Sequence, residues 1–108
     1  EYAEGRYVYR IHRARERNPE VTKRKKRQAK KTGPLTCEVC GLVPEKVYGE
    51  DGERAIECHH LLPLSKYERG QKTRLDDLAL VCATCHRVLH AGKHPPTVSE
   101  LHARVSAN

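Results

Sequence analysis

The chain has 108 residues, no Phe, Trp or Met, a net charge of +7 and a mean hydropathy of −0.80. A chain this short makes one small domain that buries only about 60–70% of its unfolded surface, and its poverty in large apolar side chains calls for a staple such as a bound metal. No run approaches the ~20 apolar residues of a membrane span, and five cysteines, four of them in Cys-x-x-Cys pairs, with no signal peptide speak for metal ligation in a reducing, cytoplasmic compartment and against a secreted disulfide framework.

The charge is uneven along the chain. Residues 1–31 carry twelve Lys and Arg against four acids, whereas residues 32–108 carry nine against ten. All the excess therefore lies in an amino-terminal arm, in the run IHRARERNPEVTKRKKRQAKK (11–31), the electrostatic footprint of a polyanion binder. Lys23, Arg24, Lys25, Lys26 and Arg27 are its densest stretch and the candidate nucleic-acid contacts; the plain alternative is a solvated helix face. Tyr7, Ile11 and Ala14, at spacings of four and three, predict a short amphipathic helix over 5–17. Asn18-Pro19-Glu20 then reads as a cap with Pro at the first helical position, opening a basic helix to about Lys31 that Gly33-Pro34 ends.

A first knuckle follows over Cys37–Gly41, where the glycine permits a tight turn around a metal. A helical turn is expected over 43–48, a turn over 49–52 and a strand from Arg54 to His59. Residues 61–76, with Pro63, Ser65 and Gly70, read as an extended loop. Leu78–Val81 predicts a second strand, Ala83 to about Ala91 a helix ended by Gly92, and 97–106 a last helix capped by Thr97 or Ser99. These elements divide into a basic helical arm (1–34), a core (35–93) and a carboxy-terminal helix (94–108). A chain that begins at Glu1 in place of methionine is what a piece of a longer protein would show.

Two motifs carry chemistry. Cys37 and Cys40 (CEVC) and Cys82 and Cys85 (CATC) are pairs separated by 41 residues, and each knuckle turns two sulfurs toward one point, the pattern of a closed structural Zn²⁺ site. Cys58 stands outside both pairs and reads as a small apolar packing residue. Between the pairs lies the tandem His59-His60, which at a strand end points to opposite sides. His86 and His90, four apart on a helix, share a face suited to chelating a divalent ion. One of the tandem histidines can join that pair as a ligand and leave the other as a base. His12, His94 and His102 have no such company.

These residues resemble the HNH endonuclease family, whose fold is a ββα-metal finger; the matching segments are ECHHLLPLS, LDDLALVC and CATCHRVLH. The resemblance implies a small α+β fold, the finger with its four-cysteine zinc preceded by basic helices. It also implies His59 as the first ligand of a catalytic divalent ion (Mg²⁺, Mn²⁺, Co²⁺ or Ni²⁺), His60 as general base, His86 as the closing histidine of the motif and His90 as an additional ligand. Asp77, nine residues before His86, stands where the family usually carries Asn, and so either braces the loop that holds the base or binds metal. Together with EGRYVYRIHRARERN, TCEVCG and VYGEDGERAIECHH, the chain is similar to the nuclease half of modification-dependent (type IV) restriction endonucleases, in which an upstream domain reads modified DNA.

By that likeness the expected activity is metal-dependent hydrolysis of DNA phosphodiesters to 5′ phosphate and 3′ hydroxyl ends in a prokaryotic cytoplasm. Lys72, Arg74 and Arg87 are candidate phosphate clamps, with plain surface charge as the equal alternative. Double-strand cutting needs two active sites or two sequential events, and a homodimer is one way to supply them. The rival reading is a noncatalytic zinc-binding nucleic-acid module. It accounts for the cysteine pairs and the arm but not for four histidines at these positions.

Overall fold

The computed structural model describes residues 19–63 and 66–107. The helix expected over 5–17, the Asn18 cap and His12 lie outside them. Helix α1 (Pro19–Lys30) is the basic helix, opened by a proline whose missing N–H is no loss in a first turn. After the first knuckle come α2 (Pro44–Tyr48), a 3₁₀ helix (Glu50–Ala55) and strand β1 (Ile56–His60). A second 3₁₀ turn (Leu75–Asp77), strand β2 (Leu78–Cys82), helix α3 (Ala83–Leu89) and helix α4 (Val98–Ser106) complete the order. No helix of the described residues is long and apolar enough to cross a membrane.

The expected strand from Arg54 starts two residues later, because Glu50–Ala55 winds into the 3₁₀ helix instead of a turn and a strand end. Gly52 lets this segment pack closely on its neighbour. It is buried against α2, where a Cβ would collide with the backbone carbonyl of Pro44. The first β-branched residue, Ile56, then opens the strand. The expected loop over 61–76 runs directly into the second 3₁₀ turn. Helix α3 stops at Leu89, with His90 at its C-cap. Thr97, not Ser99, caps α4: its Oγ1 accepts the Glu100 N–H while the Glu100 carboxylate accepts the Thr97 N–H, a reciprocal pair that satisfies two otherwise orphaned donors.

β1 and β2 form an antiparallel pair with Cys58 opposite Leu80 and His60 opposite Leu78. Leu80 turns its backbone polar groups away from β1. Its carbonyl accepts the Glu38 N–H at 2.8 Å and its N–H donates to the Glu38 carboxylate at 2.6 Å. The first knuckle thus stands in for a third strand beside β2. One core gathers Leu35, Val39, Ile56, Cys58, Leu80, Val81, Leu89 and Leu101, with Val21 and Ala29 of α1 and Val98 of α4 packed against it. Cys58 behaves as the expected small hydrophobe: it is buried there, and burial pushes its thiol pKa up.

Candidate active site and metal centre

The four paired cysteines converge as their spacing predicts. Their Sγ atoms all lie within 4.8 Å of one another. Cys40 Sγ is 3.8 Å from Cys82 Sγ, and sulfurs at ~2.3 Å from a tetrahedral zinc stand about 3.8 Å apart. The two knuckles are built alike, with the Cys40 N–H on Cys37 Sγ and the Cys85 N–H on Cys82 Sγ, both at 3.5 Å. Gly41, at φ +80°, supplies the left-handed turn that lets its N–H close back on the Cys37 carbonyl at 2.9 Å. Burial first, and the crowding of the other sulfurs with it, pushes the thiols of Cys82 and Cys85 up. Four such sulfurs are thiolates together only around a cation, and the set fits zinc.

The histidines separate into two environments. His59 on β1, His86 on α3 and His90 at the end of α3 bring one ring nitrogen each within 4.8 Å of the others. Their rings lie 5.0–5.4 Å apart, centre to centre. His86 and His90 face each other through Nε2 at 3.3 Å, within the roughly 3.0–3.4 Å that two ligands at ~2.1 Å from a common ion adopt. The donor set, imidazoles without thiolates, suits a divalent transition metal.

His86 is also held from behind. Its Nδ1 meets the Glu57 carboxylate at 2.7 Å, which fixes the ring hydrogen on Nδ1 and turns Nε2 toward the cluster. Glu57 is not among the residues singled out from the sequence, although a signal is there: two residues before His59 on a strand, it shares the face of His59.

His60 points elsewhere. Its Nε2 lies 3.4 Å from Thr73 Oγ1, and the ring of Tyr67 stands edge-on to it with centroids 6.0 Å apart. Nothing in the local sequence marks Thr73 or Tyr67, since the loop that brings them back to β1 has no periodic pattern. Asp77 lies apart from the His59–His86–His90 group. Its carboxylate accepts the Arg74 N–H at 2.8 Å, and its own carbonyl accepts the Leu61 N–H at 2.8 Å, one residue beyond His60.

Among the basic candidates, Lys72, Arg74 and Arg87 are exposed. Lys23, Arg24 and Arg27 are exposed on α1, while Lys25 is half-buried. Lys26 turns inward: its ammonium donates to the Glu53 carbonyl at 3.2 Å, and burial pushes its pKa down. Lys30, four residues on, pairs with the Glu53 carboxylate at 3.0 Å. The basic helix therefore has a docked side and an open side. His94 and His102 are exposed and outside both clusters.

The comparisons with known proteins point the same way. Over 65 residues, 60% of this chain, it is 35% identical to the type IV methyl-directed restriction enzyme EcoKMcrA of Escherichia coli K12, and it spans about 22% of that relative's length. No solved structure matches the chain at a significant level. The HNH endonuclease family model matches residues 37–92, from the first cysteine of the first knuckle to the glycine after α3. With more than half its length inside that match, and the cysteine and histidine groups both within it, the chain belongs to the HNH endonuclease family.

Proposed function

We propose that this domain is a metal-dependent endonuclease that hydrolyses DNA phosphodiester bonds, and that it is the cleavage part of a modification-dependent restriction enzyme whose reader domain lies upstream. The observation that carries the reading is the parting of the tandem histidines: His59 joins His86 and His90, while His60 stands on its own side with Thr73 and Tyr67. That is the division of labour a hydrolytic site needs, ligands in one place and a base in another.

A divalent ion held by His59, His86 and His90 would stabilise negative charge developing on the phosphate oxygens. His60 takes a proton from the attacking water, a role for which a neutral imidazole is suited near neutral pH. Glu57 orients His86. Asp77 braces the loop through the Arg74 and Leu61 amides and is not needed as a ligand, since three imidazoles already converge without it. Lys72, Arg74 and Arg87 hold flanking phosphates. The zinc centre of Cys37, Cys40, Cys82 and Cys85 fixes the start of α3, and so His86, relative to β2. Two domains acting together, as a homodimer, would allow cuts in both strands.

Incubation with supercoiled plasmid in Mg²⁺, Mn²⁺, Co²⁺ or Ni²⁺ tests the reading. Nicked or linear DNA should form with at least one of these ions and not in excess chelator. Intact plasmid in all of them would return the chain to a noncatalytic binding module.

The arm makes a separate prediction. Neutralising Lys23, Arg24 and Arg27 together should weaken binding to all DNA sequences alike. It should also flatten the slope of log affinity against log salt, by up to ~0.9 for each phosphate no longer neutralised. Adding Lys25 and Lys26 should extend the effect, but the Lys26 change should also lower the melting temperature, because that residue ties α1 to the 3₁₀ helix at Glu53. An unchanged salt slope in the triple variant would mean that the open side of α1 is only a solvated surface.

A further inference from the structure

We infer that Thr73 is the positioning residue for His60, holding the imidazole in the rotation that a general base requires. This rests on the reading of His60 as that base. The loop residue that would orient the base by family resemblance is Asp77, yet its carboxylate is engaged on the Arg74 N–H at 2.8 Å. The ring nitrogen of His60 instead meets a hydroxyl, Thr73 Oγ1, at 3.4 Å.

The two interactions are linked through the backbone. Arg74 N–H belongs to the peptide that follows Thr73, so the Asp77 carboxylate fixes the plane from which the Thr73 side chain projects. Asp77 N–H closes the same turn on the Arg74 carbonyl at 3.0 Å. Thr73 itself is half-buried, and as a β-branched residue it has few rotamers to choose among. Tyr67, edge-on to His60, limits rotation of the imidazole from another direction.

The chemistry follows from how the ring is held. A threonine hydroxyl can accept from Nε2–H or donate to a bare Nε2, so the contact with Thr73 fixes where the imidazole points in either tautomer. A separation of 3.4 Å is long, and catalytic hydrogen bonds of this kind tighten when substrate is bound.

The test uses Thr73→Val, which removes the hydroxyl and keeps the branched shape, and Thr73→Ser, which keeps the hydroxyl. The Val variant should lose roughly 10- to 100-fold in kcat for plasmid cleavage, the scale of a misaligned catalytic group, with KM changed by less than about twofold. Zinc content and melting temperature should match the parent. The Ser variant should recover most of the rate. A second readout is the double variant: Thr73→Val should cost nothing further in a His60→Ala background, because Thr73 acts through His60. Near-parental kcat in the Val variant, Ser as slow as Val, or a further loss from Thr73→Val in the His60→Ala background would each overturn the proposal. His60→Ala run alongside separates the two ideas, since full cleavage by that variant would sink the base assignment itself.

Discussion

Replacing Cys40 or Cys85 with serine is expected to unfold this domain, not merely to inactivate it. A structural zinc contributes on the order of ~10 kcal/mol of folding free energy, while a whole small domain is stable by only about 5–15 kcal/mol. Little else here can compensate. The core contains no Phe, Trp or Met, and the sheet among the described residues has two strands. The four cysteines come from the knuckle before β1 and from the β2–α3 junction, so losing one would untie the ends of the segment that carries the histidines. Far-ultraviolet circular dichroism with elemental analysis checks the expectation: the parent should hold one zinc per chain, and the serine variants should be zinc-poor and without a cooperative melt. A folded, active protein containing no zinc would overturn it.

The second large effect is on chemistry. His60→Ala should lower cleavage by ~10²–10⁴-fold, the usual contribution of a positioned general base. DNA affinity should stay close to that of the parent, because the residue acts on the attacking water and not on substrate binding. His60 is buried, so truncation leaves a cavity beside Tyr67 and lowers stability somewhat. His60→Gln fills more of that space and lacks a basic nitrogen, and should be as inactive as the alanine variant while melting nearer the parent. Cleavage at near-parental rate by either variant, measured on plasmid with the best divalent ion, would remove His60 from the role.

Much of the site was legible in the sequence because its signals are local. A Cys-x-x-Cys pair closes a knuckle by its own backbone, as the paired N–H···S bonds show. His86 and His90 are four apart, and helical geometry alone brings them together. The opposite facing of His59 and His60 follows from the period of a strand. What stayed hidden depends on tertiary packing between segments with no periodic pattern. Thr73 lies thirteen positions after His60, and Leu80 forty-two after Glu38; neither spacing has a local signature. Lys26 shows the same limit in another form. Within KRKKR the charges look alike, and only the docking of α1 through Val21 and Ala29 decides which of them face the body.

The pairing of Glu38 with Leu80 has a consequence for how the domain behaves when zinc is removed. Leu78–Cys82, LALVC, is apolar, uncharged and free of proline, the composition of a segment prone to stack with copies of itself. In the folded domain both of its hydrogen-bonding sides are occupied, one by β1 and the other, at Leu80, by the first knuckle. Opening that knuckle exposes an unpaired strand edge, and such an edge is a template for pairing between molecules. A metal bound there would therefore guard solubility as well as shape, and stripping it at high protein concentration would drive the chain toward self-association.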